Sequence, residues 1–398
     1  MSVFSRLFAQ SNSEPAAVQR KSVPSWLEGA QASAQAFVYG TAKPVWSQRN
    51  YQRFADEAYR RNVIAHRAVS LIADAVASVP WQVNAVAPAQ GNLAAQTLLS
   101  RMNPLQTRRS FIRDTVSYQL IGGNAWLLAV GPSGQAPSEL HLLRPDRVQV
   151  VPGVNGLPKA YQYTVEQKTE VFPVDPVTGL SKMLHLKQFH PYDDWLGLSP
   201  VEAAAYAIDQ HNQSGAWNQA LMQQGARPSG ALVVQQKDGG GVLSDEQFAR
   251  LKQQVDAEFS GASNAGRPII LEGGLDWKEM ALSPKEMDYI EGKHAAARDI
   301  ALAFGVPPQL LGIPGDNTYA NLAEARLALW EQTVLPHLQM MLDTLVPWVN
   351  RLCAAAVEVT PDADDIPALV PRRESLWQRV KDADFLSDEE KRAMLGIA

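Results

Sequence analysis

A chain of 398 residues with 46% hydrophobic and 19% charged residues has the composition of a globular protein long enough for two or three domains. Its single cysteine, Cys353, excludes an internal disulfide framework and a thiolate metal site, and it predicts an intracellular assembly route. A net charge of -5 excludes a protein that grips nucleic acid over its whole surface, since that takes Lys and Arg on phosphates, and no apolar run reaches the ~18 residues of a membrane span.

Residues 1–51 are rich in Ser, Ala and Gln without sustained periodicity and read as a mobile arm; around Arg6 the apolar string is too broken for a signal-peptide core. From Phe54 to Ser78 the positions Val63, Ala68, Leu71, Ile72, Ala75 and Val79 predict an amphipathic helix, ended by Pro80 and followed by a strand at Trp81-Gln82-Val83. A second helix, Ser110 to Leu120, leads through Gly122-Gly123-Asn124 into an apolar strand from Ala125 to Val130. Strand composition with turn-rich flanks recurs at Leu140–Leu143, Val148–Val151, Tyr161–Val165 and Met183–Leu186, so the first domain is α+β.

Two helices then open with the same phrase, Leu198-Ser199-Pro200-Val201-Glu202 and Leu282-Ser283-Pro284-Lys285-Glu286, in which Ser caps, Pro presets the first helical residue and Glu reaches back from N3. Val201, Ala205, Ile208, Ala216 and Ala220 give the first a helical period, and its run to Gln224 spans roughly 39 Å. Its middle, His211-Asn212-Gln213-Ser214-Gly215, is polar yet uncharged, as suits packing beside polar neighbours. The second rod, Pro284 to Phe304, carries Met287, Ile290, Ala297, Ile300 or Ala301, and Phe304 on one stripe. Both stop at breakers, Gly225 with Pro228 and Gly305 with Pro307-Pro308. Between them lies a small α/β insert: a strand at Ala231–Val234, a turn at Gly239–Gly241, a helix from Asp245 to Phe259 and strands at Pro268–Leu271 and Trp277–Met280.

After the second rod, Ile313 to Tyr319 is a loop by composition. Asn321 is expected to cap a further long helix that carries Leu322, Trp330, Val334, Leu338, Met341, Leu342 and Leu345 and is kinked by Pro336. The segment from Pro361 to Pro371 is Pro- and Asp-rich, and two short helices close the chain, one around Ser375–Val380 and one capped by Ser387.

The residues that carry chemistry do not assemble into a catalytic constellation. Gly239–Gly241 lacks the following Gly-Lys-Ser/Thr of a phosphate-binding loop and reads as a turn. His185, His190 and His211 lie near Asp193 and Asp194 in sequence without the i, i+4 histidine spacing of a helical metal site. Asp193, Asp194 and Glu202 stand where carboxylates favour a helix N-terminus. Cys353 lies in an apolar helix end and reads as a buried thiol. Arg108, Arg109 and Arg113 form the best basic cluster, read as a solvated helix face with phosphate contact as the alternative. No cofactor or metal is implied, and the expected protein is not an enzyme.

From about Arg61 onward the chain resembles the portal proteins of tailed bacteriophages, in the short branch that also serves gene transfer agents, and is most like a gene transfer agent portal. The resemblance rests on ordered stretches: Arg61-Asn62-Val63 through Ile72 to Pro80, Gly123-Asn124-Ala125-Trp126-Leu127, Leu143-Arg144-Pro145-Asp146-Arg147-Val148, Gly197-Leu198-Ser199-Pro200, Phe304-Gly305-Val306-Pro307-Pro308 with Leu311-Gly312, and Ala323-Glu324-Ala325-Arg326 running into Trp330 to Pro336. It implies an α+β portal fold: a mobile arm (1–51), an α+β wing (52–198), stem helix one (199–228), a clip (229–282), stem helix two (283–312), a tunnel loop (313–321), a kinked wing helix (322–360), and a crown with the C-terminal tail (361–398). It also implies a homo-oligomer, a dodecameric ring at one capsid vertex, with double-stranded DNA passing without sequence specificity. Implied partners are the terminase large subunit, the major capsid protein and a head–tail adaptor, with no membrane. The location is a virion or gene transfer agent particle assembled in the bacterial cytoplasm. On this reading Asp316, Asn317, Thr318 and Tyr319 face DNA, Gln235, Gln236, Lys237 and Asp238 form the clip's docking surface, and Gln210, Asn212, Gln213 and Asn218 pack stem against stem. Twelve copies at -5 carry about -60, so the channel repels phosphate and lets DNA slide. The competing readings are another ring-forming head–tail connector or adaptor and, more distantly, a cytoplasmic hydrolase.

Overall fold

The computed structural model of the chain describes residues 50–132, 134–153, 156–223, 230–234, 246, 249–250, 275–279, 289–315, 319–362 and 366–395. The first helical run is divided rather than continuous. Tyr51–Arg53 (α1) passes into a π-helical turn, Phe54–Arg60, and Val63–Ser78 (α2) starts afresh. The break has a local cause: Asn62 turns extended, and its side-chain oxygen accepts from Ile64 N and Ala65 N, which satisfies two orphan donors of a new helix. Val63, expected on the apolar stripe, is therefore 69% exposed, while Ala65, Ala68, Val69, Ile72, Ala73 and Val76 form the buried face.

Asn92–Ser100 (α3), a helix that no cap or stripe in the sequence announces, precedes Arg108–Gly122 (α4), which is longer at both ends than expected, with Thr107 capping its start and left-handed Gly123 its end. Helix α4 lies against α2, and Phe111, Ile112, Val116 and Leu120 complete that contact. The strands are Trp81–Ala85 (β1), Asn124–Val130 (β2), Glu139–Leu143 (β3), Val148–Val151 (β4), Ala160–Val165 (β5), Lys168–Pro173 (β6) and Met183–Lys187 (β7). Strands β2 to β7 build two antiparallel three-stranded sheets, ordered β3-β2-β7 and β4-β5-β6. Strand β2 is apolar from Ala125 onward because it is covered on both faces. Ala125, Leu127 and Ala129 enter the main core, whereas Trp126 enters a second cluster with Leu143, Val148, Tyr161, Phe172 and Met183 between the sheets. Strand β6 escaped the sequence reading because only Phe172 in it is buried and its hairpin turns on Glu166, at φ 54°, instead of on Asn-Gly.

The first rod is Pro200–Ala203 (α5) and Ala205–Gln223 (α6), interrupted at Ala204, whose N–H is shared between Glu202 O and Pro200 O. Within the insert, Gly230–Val234 (β8) pairs antiparallel with Leu275–Glu279 (β9), Gly230 facing Glu279. The expected strand at Pro268–Leu271 and most of the helix predicted over Asp245–Phe259 lie outside the described residues. The second rod is described as Tyr289–Ala303 (α7); its expected start at Ser283-Pro284 lies outside the described residues. Ala297, Ile300, Ala301 and Phe304 are buried as the stripe predicts, but Ile290 is 67% exposed, since the core reaches α7 only from Ala296 onward.

Tyr319–Leu329 (α8), a π-helical turn Trp330–Val334 and Leu335–Cys353 (α9) form one helical column. Helix α8 begins before Asn321, which lies within its first turn and does not cap it. The deformation expected at Pro336 takes the form of the π turn just ahead of it, where proline's missing N–H breaks the regular i to i−4 ladder. Leu338, Met341, Leu342, Leu345, Trp348 and Val349 bury one face of α9 in the main core, with the Cys353 thiol beside them. Val357–Pro361 (β10) returns to pair antiparallel with β1. The chain closes with Val370–Lys381 (α10) and Asp388–Met394 (α11), the latter held by reciprocal bonds between Ser387 and Glu390.

Candidate functional site

The two rods are the elements a function must use, and the structure shows what fixes them. Gly123 ends α4 at φ 72°, and a Cβ there would lie 2.1 Å from Gly197 O; a Cβ on Gly197 would lie 2.3 Å from Gly123 O. The two backbones thus touch where only glycine allows it. Asn124 seals the contact. Its Oδ1 accepts from Gly197 N at 2.7 Å and from His185 Nε2 at 2.8 Å, and its Nδ2 donates to Gly122 O and Gly197 O. Two residues on, Ser199 Oγ accepts from Glu202 N at 3.0 Å and starts the rod. The Gly-Asn pair and the Gly-Leu-Ser-Pro phrase, far apart in sequence, form one joint.

A second joint holds the rod's polar middle. Buried Asn62 donates through Nδ2 to Asn212 Oδ1 at 3.0 Å and to His211 Nδ1 at 3.2 Å, and Asn212 Nδ2 donates to Glu57 O at 2.9 Å. Both Nδ2 hydrogens and the Oδ1 of Asn62 are used, so the residue is satisfied despite 1% exposure. His211 accepts at Nδ1, which makes it the neutral Nε2–H tautomer. Burial, then the nearby Lys293 charge, holds its pKa below the ordinary histidine value. Helix α6 packs on α7 along the same length.

The exit from the second rod is also fixed. Gly305 sits at φ 64°, Thr333 Oγ1 donates to its carbonyl at 2.6 Å, and Gly312 closes the Pro308–Leu311 turn at φ 72°. The predicted 313–321 loop is anchored at both described ends. Ile313 is buried against Ala297 and Ala301, Arg298 Nη2 holds Pro314 O at 2.6 Å, and Tyr319 is already helical. Asp316, Asn317 and Thr318 lie outside the described residues, as do Gln235, Gln236, Lys237 and Asp238. Of the proposed stem-packing residues, Gln210 and Gln213 are exposed, Asn218 is half-buried, and Asn212 is half-buried on its own chain's Asn62 and Glu57.

The residues weighed as chemistry are occupied structurally. His185 stacks on Trp126 at 3.6 Å and 10°, and burial, then Lys187, pushes its pKa down to about 3. His190 Nδ1 accepts from Tyr192 N and Asp193 N, and Asp193 Oδ1 accepts from Trp195 N and Leu196 N, so both shape a turn. Asn62 and Asn124 escaped the site reading because an asparagine beside a helix end signals a local cap, and nothing local shows the distant strand or rod it also binds.

A family model for phage portal proteins matches residues 64–396, most of the chain. The chain belongs to the phage portal protein family. A protein of Rickettsia bellii (strain RML369-C), described only as uncharacterized, is 45% identical over 361 residues, 90% of this chain and 91% of that one. The portal protein of Enterobacteria phage HK97 is 23% identical, over 71% of this chain and 66% of that one. Among solved structures, a chain in the neck of a native gene transfer agent particle, computed with C12 symmetry, matches with TM-score 0.66 and 45% identity, over 90% of this portal chain and 96% of that chain. An HK97-family portal from Corynebacterium diphtheriae shares the fold, with TM-score 0.56 at 19% identity over 78% of this chain and 97% of that one.

Proposed function

We propose that this portal protein forms a dodecameric ring at one vertex of a gene transfer agent or related phage particle, where it is the channel for DNA packaging and ejection. The observation that carries the reading is the 45% identity, over nine-tenths of the chain, to a chain in a particle neck computed with C12 symmetry. Residues 52–198 serve as wing, 199–228 and 283–312 as stem, 229–282 as clip, 313–321 as tunnel loop, 322–360 as the kinked wing helix and 361–398 as crown and tail, with 1–51 as the N-terminal arm. The β8–β9 pair between α6 and α7 supports a clip hung between two stem helices and favours a portal over an adaptor. Assembly takes place in the bacterial cytoplasm. Negative-stain images of the purified protein should show rings with a central hole wide enough for a ~20 Å duplex; monomers at all concentrations would refute the reading.

The clip, with Gln235, Gln236, Lys237 and Asp238, docks the terminase large subunit and the head–tail adaptor. Replacing residues 229–282 by a short linker should abolish pull-down of the terminase subunit, and survival of that binding would count against the assignment. The chain has no catalysis of its own, a reading supported by the structural use of His185, His190 and Asp193. ATPase or nuclease turnover above a mock-purified control, lost on mutating Asp194, would overturn it. Asp316, Asn317, Thr318 and Tyr319 touch DNA transiently, while Gln210, Gln213 and Asn218, joined by Asn212 from its half-buried position, pack between neighbouring stems. Cutting 313–319 to two glycines should leave rings intact and lower the yield of particles with nuclease-protected DNA; a normal yield would make the loop a mere connector.

A further inference from the structure

The basic cluster singled out in the sequence does not act as one group. Arg108 lies over the Trp81 ring at 4.5 Å from its centroid, and Arg113 pairs with Asp114 at 3.1 Å. Arg109 turns elsewhere. With Arg67 of α2 and Arg326 of α8 it lines a cleft of about 550 Å³ whose walls include Leu71, Leu322 and Trp330, and whose acidic lining residue is Asp74. All three arginines are exposed, and among the described residues none of them has a hydrogen bond or an ion pair. Three unpaired cations brought together from three helices are unusual in a chain of net charge -5, where carboxylates are in excess.

We infer that this cleft is a phosphate site and that its occupant is the phosphodiester backbone of duplex DNA. The guanidinium is a planar fork of donors that matches a tetrahedral oxyanion, and apolar walls strengthen the attraction by lowering the local dielectric. The exposure of all three side chains fits a ligand that passes along a surface better than a small molecule to be enclosed. The cleft's place in the chain agrees. Gln309 and Leu310 on its rim precede the 313–321 segment, and Leu322 and Arg326 follow it, so the cleft flanks the segment proposed to face the channel. The inference rests on the channel reading and deepens it: a ring that repels DNA overall carries a local cationic brake at each protomer.

The test uses full-length wild-type protein, the triple variant R67Q/R109Q/R326Q and the triple lysine variant. Anisotropy of a labelled ~30-bp duplex is followed through a salt series, with micrographs of the same samples. The slope of log K against log salt should fall by at least about one in the glutamine variant and be kept by the lysine variant, because every cation withdrawn from a phosphate lowers the slope by about one. An unchanged slope and affinity in the glutamine variant overturns the inference. So does titratable binding of inorganic phosphate with duplex binding unchanged, which would make the occupant a free anion. Rings that fall apart in the glutamine variant and are restored by lysine would mean that the cations meet a neighbour's carboxylates, and that also overturns it. Wild-type protein without rings counts against the channel reading itself and takes the inference with it.

Discussion

At the scale of single residues, the joints are made by groups whose removal leaves partners stranded. Asn124→Ala would leave Gly197 N, Gly197 O and His185 without their bonds, so a loss of about 1–3 kcal/mol is expected, read as a fall in the urea midpoint. Gly123→Ala adds a left-handed residue and a contact at 2.1 Å, and the expected cost is more than ~2 kcal/mol; a midpoint equal to wild type would mean that the two backbones separate freely. The buried histidines give a pH dependence of definite sign. Burial pushes His185 down to about 3 and His337, bonded to Gln119, down to about 4, both below the unfolded value of 6.5. Their neutral forms are stabilising above pH ~6.5, and that contribution is lost as pH falls toward 4 and then 3, at up to ~1.4 kcal/mol per unit for each. Between pH 7 and pH 5 the loss should reach roughly 2 kcal/mol per histidine, measured by urea unfolding at both values. Substituting His337 by Gln should reduce the slope, and an unaltered slope would assign the titration elsewhere.

At the scale of elements, ends decide more than interiors. Asn62 both starts α2 and grips α6, so Asn62→Ala removes a cap worth ~1 kcal/mol and unpairs His211 and Asn212. Asn62→Asp keeps the cap oxygen but turns a buried carboxylate oxygen toward the acceptors of His211 and Asn212, so it should destabilise less than alanine at the helix start and more at the α6 joint. Hydrogen exchange of Ile64 and Ala65 against that of residues 208–215 separates the two effects, and wild-type protection of 208–215 in both variants would show that the joint contributes nothing. Helix α9 ends on Ala354 at φ 53°, a left-handed position that glycine adopts without penalty. Ala354→Gly is therefore expected to stabilise by up to ~1 kcal/mol, an increase in midpoint that a mere flexibility effect would reverse.

At the scale of the whole molecule, Ile290 on the second rod, at 67% exposure, belongs to a chain whose matched relatives sit in particle necks computed with C6 and C12 symmetry. The apolar stripe of the second rod is buried from Ala297 onward and leaves Ile290 outside the protomer's core, where a neighbour in a ring could cover it. A ring of acidic protomers should also tighten as salt screens their mutual repulsion, so rings counted in micrographs are expected to rise from low to moderate ionic strength, and a fall would show attractive charge pairs between neighbours instead.

What the sequence determined by itself is local in its physics. Ser199 with Pro200, Ser387, the apolar run of β2 and the stripe of α9 act through neighbours a few residues away, and the elements they predict are present. The order of family stretches likewise identified the portal fold from sequence alone. Only the tertiary structure decided the pairing of β1 with β10, the grip of Asn62 on α6, the contact of Gly123 with Gly197 and the convergence of Arg67, Arg109 and Arg326. The pairings among these join residues more than ~40 positions apart, Asn62 to His211 and Asn212 among them, where closure entropy carries no residue-level mark and the partner's identity is set by packing. An asparagine before a helix reads as a cap whether or not a second helix lies within reach of its other hydrogens.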